Sequence, residues 1–544
     1  MFFLKQRPKC IISLLLVLIG IVLLTPYANY QDFLSQGDHG RDLYAAQAVY
    51  RGELPYKDFW WVYGPLMPYY YGLFFKILGT RISSIIIGKL LLKILGGILI
   101  CAALMEVSST TAAFICACWF MLFQQDFFFT YNHLGGIVMI LGVSSCLLSY
   151  IRKKSSLSAW GALLFSFILC LIKVNFGLAA LAVSFISIAV TDFVHYKNTD
   201  NPPAKIKRCP YFYAVGLIGL PLVVFIIYYA LLKGLSVTEI RQCLPYMEGD
   251  QPYTMNPLIA IVIFLGSTLR TITSNWTNLT FALIINASAL RCFYLFASHK
   301  IPNPRKTILL LSLGMLGLFY AANFHEYLKS GVWYRGFWSQ PLSMMISFIL
   351  IDIAAGSIPK IARGLLFSFM ALLALFSWYS VIPLINASKT ESHFLSLPRG
   401  NIYVTNTPSW IQTVRQTTEF LNKTLKPHEL FFALPYDCLY YYLTDKRTPT
   451  RQLIFFKHIK ITPPQEKSVI AQLEKNHVNY VLISNRSMAL KEPGLGVFGK
   501  DYCPLIEAYI EDHFDPIAKF GDWTGEPGWA WNHGTVILKR KGTP

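Results

Sequence analysis

The feature that most constrains this chain is the recurrence of apolar runs near bilayer length, separated by short basic clusters. About 20 consecutive apolar residues are needed to cross roughly 30 Å of hydrocarbon. Residues 10–27, 84–105, 134–150, 212–232, 276–296 and 365–385 all read as such runs. Charged residues make up only 14% of the chain, which sets it apart from soluble domains, where about a quarter are charged. The 48 Lys and Arg exceed the 29 Asp and Glu, a balance that can signal nucleic-acid binding. Here the bases fall in short groups between apolar runs and form no basic stripe, as the positive-inside rule expects and a nucleic-acid surface does not.

The sidedness follows from those groups. Lys5, Arg7 and Lys9 hold the N-terminus in the cytoplasm, and the run after them is too long for a signal-peptide core. Residues 10–27 then exit, 63–79 return with Lys76 and Arg81 marking the cytoplasmic end, and 84–105 exit again. Arg152, Lys153 and Lys154 belong inside, so only one of 110–123 and 134–150 can cross. The shorter is read as a half-helix that leaves Asp126 and His133 outside. Residues 157–193 read as two spans broken at Lys173, and residues 257–269 as a second half-helix. The expected fold is a polytopic α-helical membrane protein of about eleven spans plus half-helices. The odd number of crossings puts the tail outside.

From residue 388 the composition changes to that of a soluble module of alternating helices and short strands. The chain therefore divides into a membrane module, residues 1–387, with an outer loop at 28–62, and an extracytoplasmic α/β domain, residues 388–544. Helices are expected at 410–425 and 466–476, and strands at 430–434, 480–484 and 535–539. No Gly-rich phosphate loop is seen in the tail. Of the 11 Cys, most lie in apolar runs; Cys438 and Cys503 allow one disulfide in the tail. The Asn-x-Ser/Thr sequences at Asn275, Asn278, Asn286, Asn386, Asn422 and Asn485 match a weak pattern that chance explains.

The stretch 36–79 carries the densest chemistry. Asp38 lies about ten residues beyond the first span, between Gly37 and His39-Gly40, with Arg41 and Asp42 beside it. A carboxylate held at the interface by a flexible glycine backbone can take a proton from a nucleophile; a solvated loop acid is the plainer alternative. Tyr44, Tyr50, Tyr56, Trp60, Trp61, Tyr63 and Tyr69 to Tyr71 crowd the same region. Such rings form interfacial belts, and they also stack on the C–H faces of sugars. Elsewhere on the outer side stand Asp126, Lys173, His325, Lys329 and Arg335. Each base is either an interfacial anchor or a phosphate ligand, with Arg335 preferred because a guanidinium grips phosphate with two bonds. His325-Glu326 lacks the second His of a zinc-protease motif, since Lys329 stands there.

The order Asp38, Tyr44, then Gly52, Pro55, Tyr56, Asp58, Phe59 and the block Tyr63-Gly64-Pro65-Leu66 resembles the first outer loop of the GT-C superfamily of membrane glycosyltransferases. More narrowly it resembles the bacterial relatives of dolichyl-phosphate-mannose protein mannosyltransferases and lipid A aminoarabinose transferases. The resemblance implies that Asp38 is the catalytic carboxylate, that 325–341 is a late outer loop meeting the lipid phosphate, and that Asp42, Tyr44, Tyr56, Asp58, Tyr63, Asp126, Lys173, His325 and Arg335 contribute to substrate binding. The implied reaction is inverting transfer of a sugar from a polyprenyl-phosphate donor to an extracytoplasmic glycan, lipid or protein acceptor, in the cell membrane. The acidic residues leave a divalent metal open, and the resemblance implies activity without one. A transporter or flippase of lipid-linked saccharides is the alternative function; it calls for paired inverted repeats and mid-span charges. A polymerase or ligase of envelope glycans calls for long late outer loops. A reporter fused after Pro398 is expected to be active only outside the cytoplasm, and activity inside would overturn the span parity.

Overall fold

The computed structural model describes residues 2–122, 131–197, 215–243, 255–489, 495–527 and 533–542. Among them, eight helices are long and apolar enough to cross a membrane by length and composition. The first helix, α1 (Phe2–Leu24), ends in a short helical turn at Pro26 and leads into strand β1 (Tyr30–Gln31). What sequence reads as a loop then forms a helix, α2 (Asp38–Tyr50), followed by α3 (Leu66–Leu78).

The structure overturns the expectation that residues 63–79 cross. With 13 residues, α3 is only about 20 Å long. It lies against α2, where Gly72 faces Val49 and Ala46. Its far end stays on the Asp38 face: Phe75 stacks on Tyr442 at 5.9 Å, and the Tyr442 hydroxyl donates to the Thr80 carbonyl at 3.1 Å. Lys76 and Arg81 therefore sit on the face expected to be opposite to them. Gly79, at φ +86°, turns the chain into α4 (Ile82–Leu104), which crosses to the opposite face.

The half-helix expected at 110–123 is corrected in the other direction. Helix α5 (Thr110–Leu122) begins where Asp352 accepts from the Ser109 backbone N–H at 2.8 Å. It ends where Leu122 packs on Leu23 and Ala374, at the Asp38-face ends of two other helices. It thus runs from one face toward the other. The helix carries no charged residue, and Ala112, Ala113, Cys116, Ala117 and Phe120 are all buried in the bundle. Hydropathy cannot tell α3 from α5, because both are short and apolar; their packing partners decide.

From α6 (Tyr131–Lys153) onward the sides follow the expected order. Lys153 and Arg152 pair with Glu106 at the opposite face. Helices α7 (Ser156–Ile172) and α8 (Val174–Lys197) are broken at Lys173, whose extended backbone (φ −155°, ψ 104°) lies on the Asp38 face. Helix α9 (Leu220–Leu232) is followed by the short α10 (Val237–Cys243) and by α11 (Pro257–Ser274). The last is longer than the expected 257–269, because the Thr271, Thr273 and Ser274 hydroxyls return to carbonyls of their own helix. Both ends of α11 lie near the Asp38 face. Tyr327 bonds the Ala260 carbonyl at 3.1 Å, and at the other end Trp276, starting α12 (Trp276–Ala297), packs on Phe376 at 5.4 Å. Three further helices alternate between the faces: α13 (Asn303–Asn323), α15 (Gln340–Ala355) and α16 (Lys360–Tyr379), with the short α14 (His325–Ser330) after α13. Helix α16 returns to α1, where Trp378 donates to the Leu23 carbonyl at 3.2 Å.

After the short α17 (Ile382–Ser388) the tail holds a larger sheet, a smaller one, and a two-stranded antiparallel pair, β6 (Met488–Ala489) with β7 (Gly496–Val497). In the larger, β4 (Phe431–Leu434) pairs in parallel with β5 (Tyr480–Ser484), which pairs antiparallel with β9 (Gly534–Arg540), itself antiparallel to β8 (Phe514–Gly521). Helix α18 (Pro408–Thr424) starts at a Thr407 cap with Pro at its first position; α20 (Pro463–Lys475) starts with a Thr462–Gln465 capping box. The expected helices and strands of the tail correspond to α18, α20, β4, β5 and β9. The hairpin strand β8 and helix α21 (Pro504–His513) were not anticipated. Cys438 and Cys503 are buried free thiols.

The smaller sheet joins the tail to the first loop. Strand β3 (Ile402–Val404) has β2 (Phe394–Leu395) antiparallel on one side and β1 in parallel on the other. Beside it, the Asn406 amide donates to the Leu34 carbonyl at 2.8 Å and accepts from the Leu34 N–H at 2.9 Å. Helix α19 (Cys438–Leu443) closes onto α2 at Gly40, where an added Cβ would stand 2.4 Å from the Leu439 nitrogen. Gly40→Ala is therefore expected to cost about 1–3 kcal/mol of stability through overpacking. Gly317→Ala, with no neighbour within 4 Å, is expected not to lower the unfolding midpoint; equal midpoints for the two variants would refute the close approach.

Candidate active site

The glycines around Asp38 have a use other than flexibility. A Cβ on Gly37 would lie 2.6 Å from the Tyr436 ring, so both Gly37 and Gly40 leave room for the tail segment 436–439 to close over the start of α2. The Leu439 N–H donates to the Gln36 carbonyl at 3.0 Å and holds that closure. The consequence is at Asp38 itself. The Tyr436 hydroxyl donates to its Oδ1 at 2.9 Å, and the Arg41 guanidinium approaches the same oxygen at 3.4 Å. Burial, reinforced by the Asp38 charge and opposed by Arg41, pushes the Tyr436 phenol well above its usual range, so it remains a donor. The Asp38 side chain is 40% exposed, whereas that of Arg41 is 4% exposed.

Arg41 is fixed mainly by Asp42, whose Oδ1 accepts from Nη2 at 2.8 Å and from Nε at 3.0 Å. Burial raises the Asp42 carboxyl to about 6, against the opposing pull of Arg41. The guanidinium lies over the Trp61 ring at 5.5 Å and the Tyr63 ring at 5.0 Å. The Lys173 ammonium stands 5.7 Å from the same ring and also faces Phe176 at 5.0 Å and Trp338 at 4.9 Å. Tyr63 reaches this position because Gly64 sits against α7, its N–H donating to the Ile172 carbonyl at 2.8 Å. A Cβ there would overlap the Leu171 carbonyl oxygen at 2.1 Å.

Lys173 is not an isolated cation. Its Nζ lies 2.6 Å from Glu326 Oε1 and 2.7 Å from Oε2, and both side chains are almost fully buried. Asn175 donates to Glu326 at 3.0 Å and is 2.8 Å from His325 Nε2; His325 Nδ1 in turn donates to the Ala322 carbonyl at 2.7 Å. His325 thus orders Asn175. Arg335, half-buried, is within electrostatic range of Lys173 and His133.

The structure therefore brings together Asp38, Asp42, Tyr63, Lys173, His325 and Arg335. It turns three other expected residues to different work. Tyr44 is fully buried, donates toward Glu53, accepts from the Thr448 N–H at 3.0 Å and packs on Phe59 and Tyr441. Tyr56 is fully buried, bonded to the Tyr63 carbonyl and packed beside Tyr228. Asp58 closes a turn, accepting from the Leu54 N–H at 2.7 Å. Asp126 lies outside the described residues. Tyr436 and the partnership of Glu326 with Lys173 were missed, since nothing in the local sequence of either announces a partner far along the chain. Among the described residues, no group of three or more His, Cys, Asp or Glu side chains is placed to hold a metal ion.

No protein-family model matches the sequence, and no curated protein matches it. Solved structures do resemble it. ArnT from Cupriavidus metallidurans, solved bound to undecaprenyl phosphate, superposes with a TM-score of 0.57 at 11% identity, over 96% of this chain and 97% of that one. Its apo structure gives the same values. Arabinofuranosyltransferase AftD from Mycobacteria superposes with a TM-score of 0.51 at 12% identity, over 99% of this chain and 40% of the other. At these identities the likeness is one of fold.

Removing one member of a buried ion pair costs about 3–5 kcal/mol, while replacing both by apolar residues costs far less. Lys173→Met is therefore expected to lower the unfolding midpoint sharply, and Lys173→Met combined with Glu326→Leu to recover most of the loss. A double variant no more stable than the single one would show that the two side chains are not coupled.

Proposed function

On the premise that the chain has the GT-C fold, as the sequence resemblance implies, we propose that it is an inverting glycosyltransferase. It moves a sugar from a polyprenyl-phosphate donor to an acceptor on the extracytoplasmic side, an envelope glycan, lipid or protein. The observation that carries this reading is Asp38: a half-exposed carboxylate at the start of α2, backed by buried cations and aromatic rings. The sidedness rests on Arg152, Lys153, Lys300, Arg305, Lys360 and Arg363, which lie in or just beyond helix ends on the face opposite Asp38.

In this mechanism an acceptor hydroxyl or amine attacks the anomeric carbon from the side opposite the phosphate. Asp38 takes its proton as the new bond forms, and the bond to the phosphate oxygen breaks with its electron pair leaving on the phosphate. The departing phosphate needs a cation. The Lys173 charge is already matched by Glu326. Arg335 is assigned that role, because a guanidinium grips two phosphate oxygens at once. Arg41 is held by Asp42 and stays with the base. Tyr63 lies within reach of both buried cations and keeps them at a fixed spacing beside the reacting groups.

Asp38→Asn keeps the shape and removes the base. In a transfer assay with labelled sugar on a polyprenyl phosphate and the purified protein, its rate is expected to fall by about 10²–10⁴-fold. A folded Asp38→Asn variant that transfers at the wild-type rate would remove Asp38 from the chemistry.

A further inference from the structure

We infer that Tyr436, a residue of the tail, is a positioning residue for Asp38, so that the catalytic base is complete only when the tail is closed on the membrane module. The inference rests on the reading of Asp38 as the proton acceptor.

Both hydrogen bonds to the Asp38 carboxylate end on the same oxygen: Tyr436 at 2.9 Å and Arg41 at 3.4 Å meet at Oδ1. Among the described residues no protein donor reaches Oδ2. A carboxylate tied at one oxygen presents the other, and the 40% exposure of the side chain is the opening through which an acceptor proton can reach it. Arg41 alone fixes this orientation weakly, because its shorter bonds go to Asp42. Tyr436 is the stronger anchor, and its own position is set from behind. Arg486, 2% exposed, donates to the Tyr436 carbonyl at 3.0 Å, and its guanidinium stands 5.8 Å from the Tyr436 ring and 5.1 Å from that of Phe456. The adjacent Asp437 is tied to the Ser484 hydroxyl at 2.7 Å. The hydroxyl that orients Asp38 therefore hangs from the larger tail sheet, through β4 and β5, and not from the membrane helices.

The absence of side chains at Gly37 and Gly40 is what lets that hydroxyl arrive. With a Cβ at either position the Tyr436 ring or the Leu439 backbone must retreat, and the bond to Asp38 opens. Asp38 and Tyr436 stand 398 residues apart in the chain, so the pairing is a property of the closed fold.

Tyr436→Phe removes the hydroxyl and keeps the buried ring, so the fold is expected to survive. Its kcat is expected to fall at least tenfold with the KM for the lipid-linked donor within twofold of wild type. Arg41, Asp42, Tyr63 and Cys438 also face Asp38 and remain unchanged. A double-mutant cycle on the unfolding midpoint, with Tyr436→Phe, Asp38→Ala and both together, reads the contact without turnover, because alanine leaves the hydroxyl no acceptor. Additive midpoints would overturn the inference, because the two groups would not be in contact. Coupled midpoints with an unmoved kcat, while Asp38→Asn is inactive, would also overturn it, because the bond would be structural only. An active Asp38→Asn variant would instead overturn the reading on which it rests.

Discussion

The close approach of the tail segment 436–439 to the start of α2 is the contact on which the rest depends. It exists because two positions flanking Asp38 carry no side chain. Around it, polar groups from both ends of the chain complete one another. Gln36 receives the Trp410 indole N–H at 3.3 Å and reaches His533 at 3.4 Å, and His533 meets the Tyr440 hydroxyl at 3.0 Å. These groups are buried, and buried polar groups without partners would each cost about 1–3 kcal/mol. The network therefore makes partial opening of the interface expensive.

Two buried ion pairs flank Tyr63, Arg41 with Asp42 and Lys173 with Glu326. Buried pairs of this kind are weak devices for stability, because desolvation offsets their attraction. Their value here lies in geometry: each holds a cation at a ring face while keeping its charge matched. Of the four groups, Arg41 also reaches the half-exposed Asp38 carboxylate, at 3.4 Å.

Much of the architecture was legible because the bilayer imposes a length on its spans and a preference on basic residues. The break at Lys173 and the helices and strands α18, β4, α20, β5 and β9 of the tail follow from such local signals. The exchange between α3 and α5 was not legible. A 13-residue apolar helix satisfies hydropathy equally well lying on a face or buried in a bundle, and only Tyr442 and Arg399 on one side, and Asp352 and Leu23 on the other, distinguish them. The glycines beside Asp38 were misread for a related reason: sequence shows a missing side chain, and not the neighbour that needs the space. Tyr44, Tyr56 and Asp58 belong to the same recognisable block as Tyr63, yet they hold the block's shape, since a pattern does not say which of its members stand beside the Arg41 and Lys173 cations.

The parallel pairing of β1 with β3 also sets an order of assembly. Tyr30 leaves the ribosome about as soon as the first helix does, but its partner Tyr403 follows only after every membrane helix has been made. Until then the edge of β1 stays unpaired, and loop closure across so many residues is slow. The contact between Tyr436 and Asp38 is thus a late event in the life of the molecule, and a truncated or stalled chain would lack it.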